Sequence, residues 1–225
     1  MKKFLSLSLV FASALLLTAC FEIKQKINVN RNGSGEYTFV FGLGELGLMA
    51  KEAAQKKGEE VDIMKADKLE LEDKVDLLNA EEGISGAKIW GDNEEMTINL
   101  SFKFEDIDAL NRGAQIAFGD STGPVQQTLF TARGNDKFTF HGFGFIIDQM
   151  GAKMGAEEDS SMVEMARMML QDVSLTTEMT FTEVVDKTDN ENVLLKGDRK
   201  GVVLQHYPFR AAEENNITSF TVELD

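Results

Sequence analysis

The chain has 225 residues, 43% of them hydrophobic, and carries 38 acidic against 23 basic side chains, a formal net charge of −15. A body this acidic lacks the basic surface that phosphate contacts require, so nucleic acid is excluded as an expected partner. The apolar fraction and only two prolines (Pro124 and Pro208) indicate a globular chain. With no Pro- or Ser-rich linker, repeat or second apolar span to divide it, one domain is expected.

Lys2 and Lys3 open the chain, and Phe4 to Leu17 form an apolar run of the length of a secretory signal and shorter than a membrane span. Small residues, Thr18 and Ala19, precede Cys20, the sole cysteine. The stretch LTAC (Leu17 to Cys20) resembles the lipobox of bacterial lipoproteins. The resemblance implies cleavage between Ala19 and Cys20, diacylation of the Cys20 thiol and frequent acylation of the new amino terminus. Residues 1–19 are then a cleaved signal peptide, and 20–225 the mature α+β domain. A single cysteine has no partner for an intrachain disulfide. Each buried methylene contributes about 0.8 kcal/mol, so lasting attachment takes roughly two acyl chains, which a di- or triacylated Cys20 supplies. By the same resemblance, the absence of Asp after the cysteine (Phe21 stands there) favours the outer membrane, on its periplasmic or surface face, where a cell has two membranes.

Removing residues 1–19 takes away two lysines and no acid, leaving a net charge near −17. Such a body stays dispersed and is repelled by anionic headgroups, so acyl chains rather than surface charge are expected to hold it at the membrane.

From Phe21 to Val29 the pattern alternates, with Phe21, Ile23, Ile27 and Val29 on one face and Glu22, Lys24, Lys26 and Asn28 on the other. NRNGSGE then supplies a turn, and Tyr37, Phe39 and Phe41 resume the alternation, so residues 21–42 read as a β-hairpin starting at the anchor with almost no tether. Residues 45–57 and 61–80 read as helices, the second carrying Met64, Leu71, Val75 and Leu78 at helical spacing. Strands are predicted over 84–90 and 95–104, the latter with Met96, Ile98, Leu100, Phe102 and Phe104 on one side. Asp106 is placed to cap a short helix running to about Ile116. LFTARGNDKFTFHGFGF reads as a second hairpin with Asn135 and Asp136 at its turn, and a Met-rich helix covers about 160–171. Strands close the chain near 175–185, 193–196, 201–206 and 217–224. The expected fold is α+β: a mainly antiparallel sheet built from hairpins, with helices packed on one face.

FGLGELG places Gly42, Gly44 and Gly47 in the spacing of a dinucleotide fingerprint, with Asp62 about twenty residues on. The preceding strand opposes that reading, because it alternates and is already paired through NGSG, whereas a central parallel strand is apolar on both faces. A strand-to-helix corner is the better account. DKTDNENVLLKG has Glu191 where a calcium loop needs Gly and Gly197 where it needs Glu. His141 and His206, the only histidines, have no spacing for zinc. Neither a metal nor a cofactor is expected, and with no hydrolase signature no enzyme is. His141 reads as a structural histidine in preference to a catalytic base.

Soft apolar surface is the remaining feature. Met162, Met165 and Met169 share one face of the Met-rich helix, and flexible thioethers adapt to varied apolar ligands. The plain alternative is a helix packed into the core. Together with sixteen phenylalanines, these residues suggest a non-enzymatic lipoprotein that binds an apolar ligand or lipid, and the layout loosely resembles envelope lipoproteins with a lipid-binding α+β domain. The alternative is an adaptor that holds a protein partner at the envelope, for which the charged 51–82 region is the candidate surface.

Overall fold

The computed structural model describes residues 21–59, 61–64, 68–119, 127–142, 173–207 and 219–225, which contain eleven strands and three helices. The predicted opening hairpin forms as β1 (Glu22–Val29) and β2 (Gly35–Gly42), paired antiparallel from Glu22↔Gly42 to Val29↔Gly35. Its turn is held by Asn32, whose side-chain oxygen accepts from Ser34 N at 3.2 Å, and by Gly33 at φ 84°. Next come α1 (Gly44–Lys56) and α2 (Lys68–Ala80), then a hairpin of β3 (Ile84–Asp92) and β4 (Thr97–Phe104). Of the helix predicted over 61–80, residues 61–64 are not helical and Lys68–Ala80 are. Met64 lies in a turn ahead of it, where the Asp62 carboxylate accepts from Met64 N (3.0 Å) and Asn93 Oδ1 from Ile63 N (3.1 Å).

The third helix, α3 (Ile107–Phe118), starts where its cap predicts: the Asp106 carboxylate accepts from Ala109 N at 2.7 Å. The third hairpin is β5 (Phe130–Arg133) and β6 (Lys137–Phe140), turning through residues 134–136. The strands β7 (Ser174–Phe181), β8 (Val185–Thr188), β9 (Leu194–Leu195), β10 (Gly201–His206) and β11 (Phe220–Leu224) complete the fold.

Two sheets result. The larger runs β3-β4-β2-β1-β7-β10-β9, and the smaller β5-β6-β11-β8. Every neighbouring pair is antiparallel except β1 and β7, which lie parallel from Glu22↔Ser174 to Val29↔Phe181. The α+β, mainly antiparallel expectation therefore holds, with one parallel junction at the centre that the local pattern did not announce.

The inner face of the large sheet carries Ile27, Tyr37, Phe102, Met179 and Val202, all buried, and packs against the second sheet and α3. Phe138 of β6 meets Phe181 of β7 at 5.3 Å between ring centroids, and Phe118 of α3 stands edge-on to Phe39 at 5.0 Å. Gly113 lets α3 sit close to β4, since a Cβ there would lie 2.5 Å from the Phe102 ring. Lys74 of α2 donates to the carbonyls of Ala117 (3.1 Å) and Gly119 (2.5 Å), placing a cation at the negative end of α3.

Candidate functional site

Successive rows across the inner face close and then open. At one level Ile27, Tyr37, Phe102, Met179 and Val202 are all fully buried. One row nearer the start of β1, Gln25, Thr177, Leu204 and Leu100 are buried, while Phe39 and Ile89 are partly accessible. In the next row Ile23 opposes Phe41, and Phe41 opposes Ile98, all three half-buried. Phe21 extends this apolar end, stacked on Phe41 at 6.0 Å. On the other side of Ile23 the row continues through Leu175 to His206, both buried. On β3 it reaches Gly91, against which Ile63 and Met64 pack; a Cβ at Gly91 would stand 2.7 Å from Met64 Cγ. Among the described residues the inner face is thus filled at the Val29 end of β1 and only half-buried on β1, β2 and β4 at the Phe21 end, next to Cys20 in the sequence.

Two polar features mark this end. Gln25 is buried yet satisfied, because Tyr37 Oη donates to its Oε1 (3.2 Å) and its Nε2 donates to Thr177 Oγ1 (2.8 Å). Burial pushes the Tyr37 phenol far above its ordinary range, so it stays a neutral donor. His206 is buried with Nε2 unpartnered, and that burial lowers its pKa below the ordinary imidazole value.

Two surface clefts are more polar. One, of about 600 Å3, is lined by Asp106, Asn111, Arg112, Thr128, Phe130 and Thr131 among others. Its polar groups already serve the fold. Asp106 caps α3, and Asn111 Oδ1 accepts from Leu129 N (2.9 Å) and Phe130 N (2.8 Å) while Nδ2 donates to Phe130 O (2.7 Å). The other, about 510 Å3, lies between the end of α1 and the β3–β4 turn, with Lys51, Gln55 and Glu94 on its walls.

The sequence motifs fall as follows. Gly42 ends β2, antiparallel to both β1 and β4, and Gly44 begins α1 at φ 54°, so FGLGELG is a corner and not a phosphate loop. In the stretch from Asp186, Asp189 Oδ1 accepts from Thr221 N (2.6 Å) and Asn190 Oδ1 from Asn192 N (2.9 Å), so these oxygens hold the loop. His141 is exposed, 3.0 Å from Thr131 Oγ1, and follows β6 of the smaller sheet, whereas His206 ends β10 of the larger. The residues named for anchoring, Ala19 and Cys20, and the candidate ligand-lining Met162, Met165 and Met169 lie outside the described residues. Sequence reasoning missed Gln25 and His206. The parity of β1 places Gln25 among its apolar residues, which is a legible signal; His206 ends a strand with Leu204 and Val202 on the same side.

No protein-family model matches the chain, and no curated protein matches it. Among solved structures, it is similar to the folded domain of the LppM protein of Mycobacterium tuberculosis, determined by NMR, with a TM-score of 0.43 and 8% identity over 92% of this chain and 90% of that one.

Proposed function

We propose that this chain is an envelope lipoprotein, anchored to the membrane through acyl groups on Cys20, with a non-enzymatic role in binding an apolar ligand or lipid. The observation that carries the reading is the half-buried row of Phe21, Ile23, Phe41 and Ile98, which starts one residue from the proposed anchor. An acyl chain entering there would bury the apolar surface that these residues leave accessible, at about 25 cal/mol per Å2. Met162, Met165 and Met169 belong to the same proposal as adaptable lining.

Native mass spectrometry with lipid extraction tests it on the protein purified from membranes. The expected result is a stoichiometric lipid beyond the covalent acyl chains on the Cys20 peptide, lost in Ile98→Lys. A protein that carries only its covalent chains would remove the ligand reading. The second reading, an adaptor, is supported by Leu48 and Met49 on α1 and Leu77 on α2, which stand exposed on helices that flank the sheet. Crosslinking in cells that recovers a partner through α1 or α2 would favour it.

A further inference from the structure

The net charge of the chain conceals how its charges are sorted. The outer face of the large sheet carries Lys24 and Lys26 on β1, Lys103 on β4 and Lys88 on β3, together with Trp90, the sole tryptophan. Acids share that face: Glu36 of β2 stands opposite Lys103 and Glu178 of β7 opposite Lys26 in register, and all but Glu36 are engaged. Glu22 pairs with Lys24 at 2.9 Å, Glu178 is bound by Lys196, and the Asp92 carboxylate accepts from the amides of Glu94 (2.8 Å) and Glu95 (3.0 Å). Lys26, Lys88 and Lys103 are exposed and make no ion pair among the described residues; Lys88 lies 5.1 Å from the centre of the Trp90 ring.

Register places these three around one spot. Lys26, Thr38, Ser101 and Lys88 form a row across four adjacent strands, and Lys103 is two residues along from Ser101. At about 5 Å between strands and 7 Å between alternate residues, the three side chains are long enough for their ammonium groups to meet over Thr38 and Ser101. Ser101 is 1% exposed and its hydroxyl has no hydrogen-bond partner. Exposed lysines and a half-exposed tryptophan are the groups that meet lipid phosphates and the interfacial layer of a bilayer.

We propose that this outer face docks on an anionic lipid bilayer, with Lys26, Lys88 and Lys103 taking lipid phosphates over Thr38 and Ser101 and Trp90 lying at the interface. The choice of a bilayer rests on the Cys20 anchor proposed above. Lys26 is six residues from Cys20 along one strand, which keeps it within roughly 20 Å of an acylated cysteine. This face then adds to the acyl chains where net charge alone implies repulsion.

Trp90 reports on the contact directly. The full-length protein, purified from membranes, is assembled into nanodiscs of phosphatidylcholine alone or mixed with phosphatidylglycerol. The expected result is a blue shift of Trp90 emission, with quenching by lipids brominated near the headgroup, in the anionic discs only. K26Q/K103Q, which spares the lysine on Trp90 itself and keeps the melting temperature, should abolish both. Equal emission in the two compositions, or a shift that K26Q/K103Q retains, overturns the proposal, as does a shift produced by heparin and not by bilayers. Should the Cys20 peptide carry no acyl mass, the anchor reading fails separately, and the same emission is read on adding vesicles to the protein.

Discussion

His206 contributes to stability through its proton. Folded, its pKa is lowered by burial; unfolded, it returns to the ordinary imidazole value of about 6.5. Below that value the unfolded chain binds a proton that the folded chain refuses, so stability is lost as pH falls. His206→Leu removes this linkage, and at pH 7.5 it gives up no hydrogen bond at Nε2. The expected outcome is a urea midpoint for the variant that gains on wild type as pH falls from 7.5 to 5. A gap independent of pH would mean that His206 protonates as easily folded as unfolded. Comparing two chains at each pH cancels the carboxylates they share, including Glu223, held low by hydrogen bonds from Lys187 and Lys137.

At the scale of elements, α3 contains one anchor that the sequence declares and one that it does not. Asp106 follows a strand and precedes an amphipathic run, so its role as N-cap is readable from position alone. Asn111 sits in the helix interior, where asparagine is a mediocre helix former, and its three partners lie at residues 129 and 130. No periodicity points across that gap. Asp106→Ala should cost about 1 kcal/mol in urea unfolding. Asn111→Ala strands two buried amides and a carbonyl, each worth about 1–3 kcal/mol, and should cost at least twice as much. Equal costs would show that the 127–130 segment finds other partners. The same contrast runs through the fold. The β1–β2 and β5–β6 hairpins are legible because each is closed by a short turn with the right residues, whereas β3 and β4 are legible only as strands. The β1–β7 pairing joins segments about 150 residues apart and leaves no local trace, and Met64 fits a helical period yet is taken by an Asp62 turn and by the room at Gly91.

For the whole molecule, sequence yields the net charge but not its sorting, since Lys26, Lys88 and Lys103 become neighbours only through strand order. With the anchor proposed at Cys20, that sorting gives a short tether a purpose. Three lysines at an anionic surface contribute about 3 kcal/mol in all, a dissociation constant of several millimolar, too weak to hold a free protein. A flexible linker gives an effective concentration in the millimolar range, so a loosely tethered body would spend about half its time or less against the bilayer. β1 begins two residues after Cys20, and with the anchor proposed at that cysteine so close a start would keep the face within its electrostatic reach. Ten Gly/Ser residues inserted between Cys20 and Phe21 span roughly 17 Å, about twice the Debye length at physiological salt. The expected outcome in anionic nanodiscs is loss of about half the Trp90 blue shift, and of the remainder as salt approaches 1 M, where the Debye length is about 3 Å. An inserted chain that keeps the full shift would mean that the face binds strongly enough without a short tether, and the lysines would then have to be reaching a specific headgroup rather than a charged surface.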